Sequence, residues 1–237
     1  MLIIISALIG GSLGVYSFYP KENAEDFYLK GNMAYDSSKY GESMQLFSSA
    51  ISINPKYAAA YRNRGFSENK IGKDELAISD YNRAMELGLS DAIVYDARGM
   101  SESALQKYNP AIADYKKALE LDPNYFQAYI NIGWIAHLLG KDSIAIMDYN
   151  KALTFNLDFA ITYNDRALSE QSLGEYSQAL IDINKALALD SKIPSIRYNK
   201  GYIEFHAGDT IAAGNDMKAA AQSGDNDAKE FIEKHFH

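Results

Sequence analysis

The chain contains no cysteine. That absence excludes disulfides, thiolate nucleophiles and cysteine-ligated zinc together, and with them a lipid-anchored lipoprotein N-terminus. It permits an oxidising compartment without requiring one. Histidine is scarce, and His137, His206, His235 and His237 are scattered; the last two read as a frayed C-terminus. No run of basic residues occurs, and the net charge is −8, which disfavours binding to nucleic acid or to an anionic membrane surface. Gly10-Gly11 is not followed by the Gly-Lys-Ser/Thr of a phosphate loop. Single Ser, His and Asp residues form no recognisable catalytic set. The expectation is therefore a non-enzymatic protein without cofactor or metal.

What is present is repetition. Gly65, Gly99, Gly133, Ala167 and Gly201 stand 34 residues apart, the first four closing a phrase that starts at Tyr61, Tyr95, Tyr129 and Tyr163. A second spacing recurs as Ala77-Tyr81-Ala84, Ala111-Tyr115-Ala118, Ala145-Tyr149-Ala152 and Ala179-Ile183-Ala186. A fixed period of this length denotes one helical hairpin stacked many times. Each repeat reads as two helices of about 14 residues. Small residues mark the closest approach of the two helices, and aromatics fill the space beside them. Gly72, Gly140 and Gly174 fall at the inter-helix turn; in the third repeat the turn is read as Lys107-Tyr108-Asn109-Pro110, with Pro110 in the first turn of the second helix.

This pattern of aromatic, small, small, aromatic, small and then proline (Asn54-Pro55, Asp122-Pro123) resembles the tetratricopeptide repeat (TPR) family. The resemblance implies an all-α fold: a right-handed α-solenoid of stacked helix-turn-helix TPR units with a C-terminal capping helix. The units run 24–57, 58–91, 92–125, 126–159, 160–193 and a degenerate 194–223, so that 24–223 forms one folded body. Residues 226–236 form the cap. In the first repeat Ser43 replaces the usual alanine. In the sixth, Arg197 and Met217 replace aromatics, as expected of a terminal repeat.

Arg64/Glu68, Arg98/Glu102 and Arg166/Glu170 are i,i+4 pairs on first helices, with Lys200/Glu204 as a variant, and Asp80, Asp114, Asp148, Asp182 and Asp216 share one place on second helices. Together they predict a ladder of ion pairs, each exposed pair contributing a few tenths of a kcal/mol. The fourth repeat breaks it with Ile132 and Ala136.

In the TPR family the first helices line a concave face, to which places two, five, nine, twelve and thirteen of each repeat point. On this sequence the resemblance implies a partner-binding groove of Tyr28, Asn32, Arg62, Phe66, Asn69, Met100, Ile130, Trp134, His137, Asn164, Leu168, Tyr198, Tyr202 and Phe205. Aromatic anchors among amides suit a protein partner, and Trp134, the only tryptophan, is the leading single candidate. The carboxylate clamp of the chaperone-binding branch is missing: Asn32 and Asn63 match it, but Tyr28, Ile93 and Ala97 stand where it has basic residues. No chaperone tail is expected.

Residues 1–20 form an apolar N-terminal segment, and Leu2 to Tyr19 carries no charge. At 1.5 Å per residue it would reach about 27 Å, near the ~30 Å hydrocarbon core. A membrane anchor through residues 2–19, a cleaved signal peptide and a helix packed on the first repeat all remain open. Lys21 and Lys30 follow the segment and no Lys or Arg precedes it, which points the repeats to the cytoplasm. Resemblance to envelope proteins with such an N-terminus points outward. The expectation taken is a single-pass, membrane-anchored protein with extracytoplasmic repeats, or a secreted or periplasmic one after cleavage.

The functional expectation is an interaction module: a membrane-tethered scaffold or assembly factor holding a partner peptide or helix. Possible self-association as a structural solenoid, and service as a regulatory or targeting subunit of a separate enzyme, are the alternatives.

Overall fold

The computed structural model describes residues 22–155 and 159–236. Among them are thirteen α-helices and no strand: α1 (Ala24–Asp36), α2 (Tyr40–Ile53), α3 (Ala58–Lys70), α4 (Asp74–Glu86), α5 (Ala92–Ala104), α6 (Tyr108–Leu121), α7 (Phe126–Leu138), α8 (Asp142–Phe155), α9 (Ala160–Ser172), α10 (Tyr176–Leu189), α11 (Pro194–His206), α12 (Thr210–Gln222) and α13 (Asn226–His235). Odd-numbered helices up to α11 open the repeats and even-numbered ones close them. The helices gather into two compact bodies, Met1–Leu89 with α1–α4 and Ser90–His237 with α5–α13.

The recurring glycine is explained by a ring. A Cβ built on Gly65 would lie 2.7 Å from Tyr81 Cε1, on Gly99 2.7 Å from Tyr115, and on Gly133 2.8 Å from Tyr149. The tyrosines are fully buried, so the first helix must present a bare backbone where the aromatic of its partner helix lies flat against it. In the sixth repeat the thinner Met217 relaxes the same contact to 3.1 Å at Gly201. Ser43 is accommodated because its buried hydroxyl donates to the Gly31 carbonyl (2.9 Å) and meets Ser67 Oγ (3.0 Å).

The chain reverses between the two helices at the same place in each repeat, in left-handed backbone at Gly72, Gly140, Gly174 and Gly208 and at Ser38 and Gln106. In the third repeat the reversal therefore lies at Leu105–Lys107, ahead of the segment read from sequence. Pro110 sits inside the first turn of α6, as read from the sequence, where its missing N–H goes unused.

The end of the second body departs from the period. Asp91 caps α5 by accepting from Val94 N at 2.9 Å, and Asp225 caps α13 by accepting from Ala228 N at 2.9 Å. Val94 and Ala228 are each fully buried one turn into their helices. Helix α13 is thus a further first helix that begins two residues early. The slip places Phe231 where the earlier first helices carry Asn63, Asn131 and Asn199.

Among the described residues no helix is long and apolar enough to cross a membrane. The expectation of a single-pass membrane protein with extracytoplasmic repeats is corrected accordingly. The described helices run to 14 residues, about 21 Å at 1.5 Å per residue against a core of ~30 Å. Residues 1–20, on which the expectation rested, lie outside the described residues.

Candidate functional site

Each repeat builds its polar side from one phrase. In the second repeat, Arg64 donates from Nε and Nη2 to the two Asp80 oxygens at 2.6 and 2.7 Å, with its guanidinium 5.5 Å from the centre of the Tyr61 ring. The third repeats it with Arg98 on Asp114 (2.6 and 2.7 Å) over Tyr95 (5.6 Å). The fifth repeats it with Arg166 on Asp182 (2.5 and 2.8 Å) over Tyr163 (5.4 Å). The planar fork suits this bidentate pairing and the stacked ring together. In the sixth repeat Arg197 has taken the tyrosine's place, and it and Lys200 both pair with Asp216.

The expected i,i+4 Arg–Glu pairs are therefore not the main contact. Arg166 Nε lies 3.9 Å from Glu170 but 2.5 Å from Asp182. The glutamates sit behind the pair. Glu68, Glu170 and Glu204 are buried, and one carboxyl oxygen of each, as of Glu102, has no hydrogen-bond partner. Burial first, then the adjacent aspartate, pushes Glu68 and Glu170 up to about 7, and Glu102 moves in the same direction. Two carboxylates share one guanidinium, so the less well paired one favours its proton. In the fourth repeat Asp148 has Ile132 in place of the arginine, and burial raises it to about 6.

A second polar row runs between successive first helices. In the first body Asn63 Nδ2 donates to Tyr28 OH at 3.1 Å and to Asn32 Oδ1 at 2.8 Å. In the second body Asn131 donates to Asp96 (2.8 Å) and Asn199 to Asn164 (2.8 Å). Asp96 also accepts from Tyr125 at 3.3 Å, and burial nonetheless raises it to about 6. The final link is aromatic: Phe231 meets Tyr202 and Tyr198 at ring distances of 5.8 and 6.4 Å.

These contacts sort the fourteen residues expected to line the groove. In the first body Tyr28 and Asn32 are committed to Asn63, Arg62 lies 5.7 Å over Phe66, and Asn69 donates to Asp74 at 2.8 Å. In the second body Ile130 is 7% exposed and belongs to the core with Ala145 and Tyr149, so it offers no contact surface. Asn164 is committed to Asn199. Leu168 is half-buried, while Met100 and Trp134 are 42% and 39% exposed. Tyr198, Tyr202 and Phe205 line a cleft of about 410 Å³ with α13.

Exposed apolar residues that the groove reading had not named lie beside them on first helices: Ile93, Leu138 and Ile161, at 47%, 48% and 45%. All three stand at places two or thirteen of their repeats, so the place rule already contained them. The register that sets Asp227, Glu230 and Phe231 beside α11 was not legible, because the two-residue slip before α13 moves them off the period, although the sequence does mark Phe231 as part of the capping helix.

His137 shows what the site does chemically. Its Nδ1 meets Asp142 Oδ1 at 2.6 Å and Ser169 Oγ at 3.2 Å. Both partners use the same nitrogen, so the imidazole does not stand between serine and aspartate as a proton relay would require. Asn69 makes the equivalent contact to Asp74 in the second repeat, which marks the pair as a brace between the helices of one repeat. Among the described residues no group of three or more acidic or histidine side chains is arranged to hold a metal.

Comparison with known proteins agrees with this geometry. The chain matches family models described as TPR repeat over residues 102–140 and as tetratricopeptide repeat over 126–159 and 164–228. It is 33% identical over 66 residues to the Protein STIP1 homolog of Dictyostelium discoideum, a match spanning 28% of this chain and 12% of that relative. A chain of the APC/C hetero-tetramer Cut9–Hcn1 superposes with a TM-score of 0.81 at 18% identity, covering 91% of this chain and 43% of the other. YrrB, described as a TPR protein with an unusual peptide-binding site, superposes at 0.58 with 20% identity, covering 79% and 97% of the two chains. The helix pairs, the glycine-on-aromatic contact and the matched models converge: the chain belongs to the tetratricopeptide repeat family.

Proposed function

We propose that the first-helix face of the second body binds an apolar segment of a partner protein, and that this chain is an interaction module rather than an enzyme. One observation carries the reading. The polar places of the first helices are spent on one another, whereas Ile93, Met100, Trp134, Leu138 and Ile161 remain 39–48% exposed on the same helices. Large apolar side chains left open beside satisfied amides are what a docking surface needs. YrrB, with its named peptide-binding site, shares the fold. The partner is an extended peptide or an amphipathic helix, either of which uses apolar anchors. Membrane tethering forms no part of this reading.

A displayed random-peptide library selected on the full chain tests it. Trp134→Leu keeps an apolar side chain but removes the indole. Selected peptides should bind that variant roughly tenfold or more weakly, the loss of one good anchor, with unchanged helical signal. Equal binding to both proteins would overturn the reading.

A further inference from the structure

Elsewhere on the first helices of the second body, neighbours meet through polar side chains: Asn131 on Asp96, Ser169 on His137 and Asn199 on Asn164. At α11 and α13 they meet through rings. Tyr198, Tyr202 and Phe231 stand mutually 5.8–6.4 Å apart, with Phe231 edge-on to both tyrosines at 84° and 67°. They wall the cleft of about 410 Å³ between the two helices. Asp227 and Glu230, both exposed, stand on its rim. Neither carboxylate has a hydrogen bond or ion pair among the described residues.

We propose that this cleft is a subsite for a basic side chain, the ammonium of lysine or the guanidinium of arginine, on the bound partner. The inference rests on the reading that the first-helix face binds a peptide, and it adds the chemistry of one residue of that peptide. Aromatic faces attract a cation through their quadrupole, most strongly where water is partly excluded. Two unpaired carboxylates beside the rings supply the countercharge. Lys234 and His235, about one helical turn on from Glu230 along α13, and His206 on α11 also line the cleft, so the cation head belongs at the Asp227–Glu230 end, away from Lys234, and its aliphatic stem along the rings. The net charge of −8 favours the approach of a basic segment.

One further observation supports the assignment. Burial first, and then the charges of Asp227, Asp225 and Glu230 together with Tyr202, raises the phenol of Tyr198, so the rim carboxylates act on the ring they border.

The test is a titration of the full chain, followed through its Tyr and Phe ring signals by NMR. The probes are the N-acetyl methylamides of lysine and arginine, with those of glutamate and norleucine as controls. Saturable shifts confined to Tyr198, Tyr202 and Phe231 are expected with the two cations and not with glutamate. The double variant Asp227→Asn, Glu230→Gln, at fully exposed or rim positions, should keep the fold and weaken the cations several-fold. Tyr202→Leu, which keeps apolar bulk, should weaken them by a similar factor, about 2- to 30-fold. A response to norleucine as strong as to lysine, or no saturable response to either cation, would overturn the proposal. Because Trp134 lies outside the cleft, Trp134→Leu separates the two readings: it should leave these small probes untouched while weakening selected peptides.

Discussion

At the residue scale the fold turns on a few contacts with little slack. Gly99 faces the Tyr115 ring, where an added Cβ would meet a carbon at 2.7 Å. The ring is buried and 2% exposed, so it has nowhere to move. Gly99→Ala should cost about 1–3 kcal/mol by overpacking, read as a lower urea midpoint at unchanged slope. The buried carboxyls make a second prediction. Glu68 and Glu170 titrate at about 7 and Asp96, Asp148 and Asp165 at about 6 in the folded chain, against roughly 4 when unfolded. A raised folded pKa gives stability that is present at low pH and lost as pH rises through the folded value. The urea midpoint should therefore fall between about pH 4 and pH 7, the reverse of ordinary carboxylate behaviour. A midpoint that rose over that range would contradict the account of the glutamates. The glycine and aromatic spacing was plain in the sequence. The ladder of Arg, Glu and Asp was legible too, but not which acid each arginine grips: an i,i+4 glutamate is visible in one dimension, whereas an aspartate 16 residues on is brought alongside only when the hairpin closes.

At the scale of the element, the repeats differ by what stands at one place. The second, third and fifth carry the Tyr–Arg–Asp set; the fourth has Ile132 and leaves Asp148 without a guanidinium. Ile132→Arg should restore the pair and lower Asp148 from about 6 toward or below the usual aspartate value, as an adjacent arginine does. A carbon-detected titration of that carboxyl reads the change, and an unmoved Asp148 would show that the place, and not only the residue, differs in the fourth repeat. Helix α13 makes the complementary point. Its apolar spacing was legible as a cap, but its register was not. The loop before it, Ser223-Gly224-Asp225, is two residues shorter than Leu87 to Asp91 before α5, and a slip of two residues carries Phe231 into the amide place. Length differences in loops leave no trace in a helical period.

At the scale of the whole chain, the repeat architecture was readable because a 34-residue period repeats its own evidence. The proposed binding face was only half readable. The place rule pointed to the first helices, on which the proposed face lies, but it could not say that the fifth and sixth places would be used by neighbouring helices on each other, nor that Ile130 would turn into the core. What survives on the second body is an apolar row centred on Met100 and Trp134, with an acidic aromatic cleft at its end. Exposed apolar side chains also lie on second helices, at Ile144, Met147 and Ile181, and they are the natural rival surface. The most direct measurement is photo-cross-linking of a library-selected peptide, carrying a benzophenone side chain, to the full chain, with adducts mapped by mass spectrometry. Adducts at Met100, Trp134 and Leu168 are predicted. Adducts confined to Ile144, Met147 and Ile181 would contradict the account and move the binding surface to the second helices.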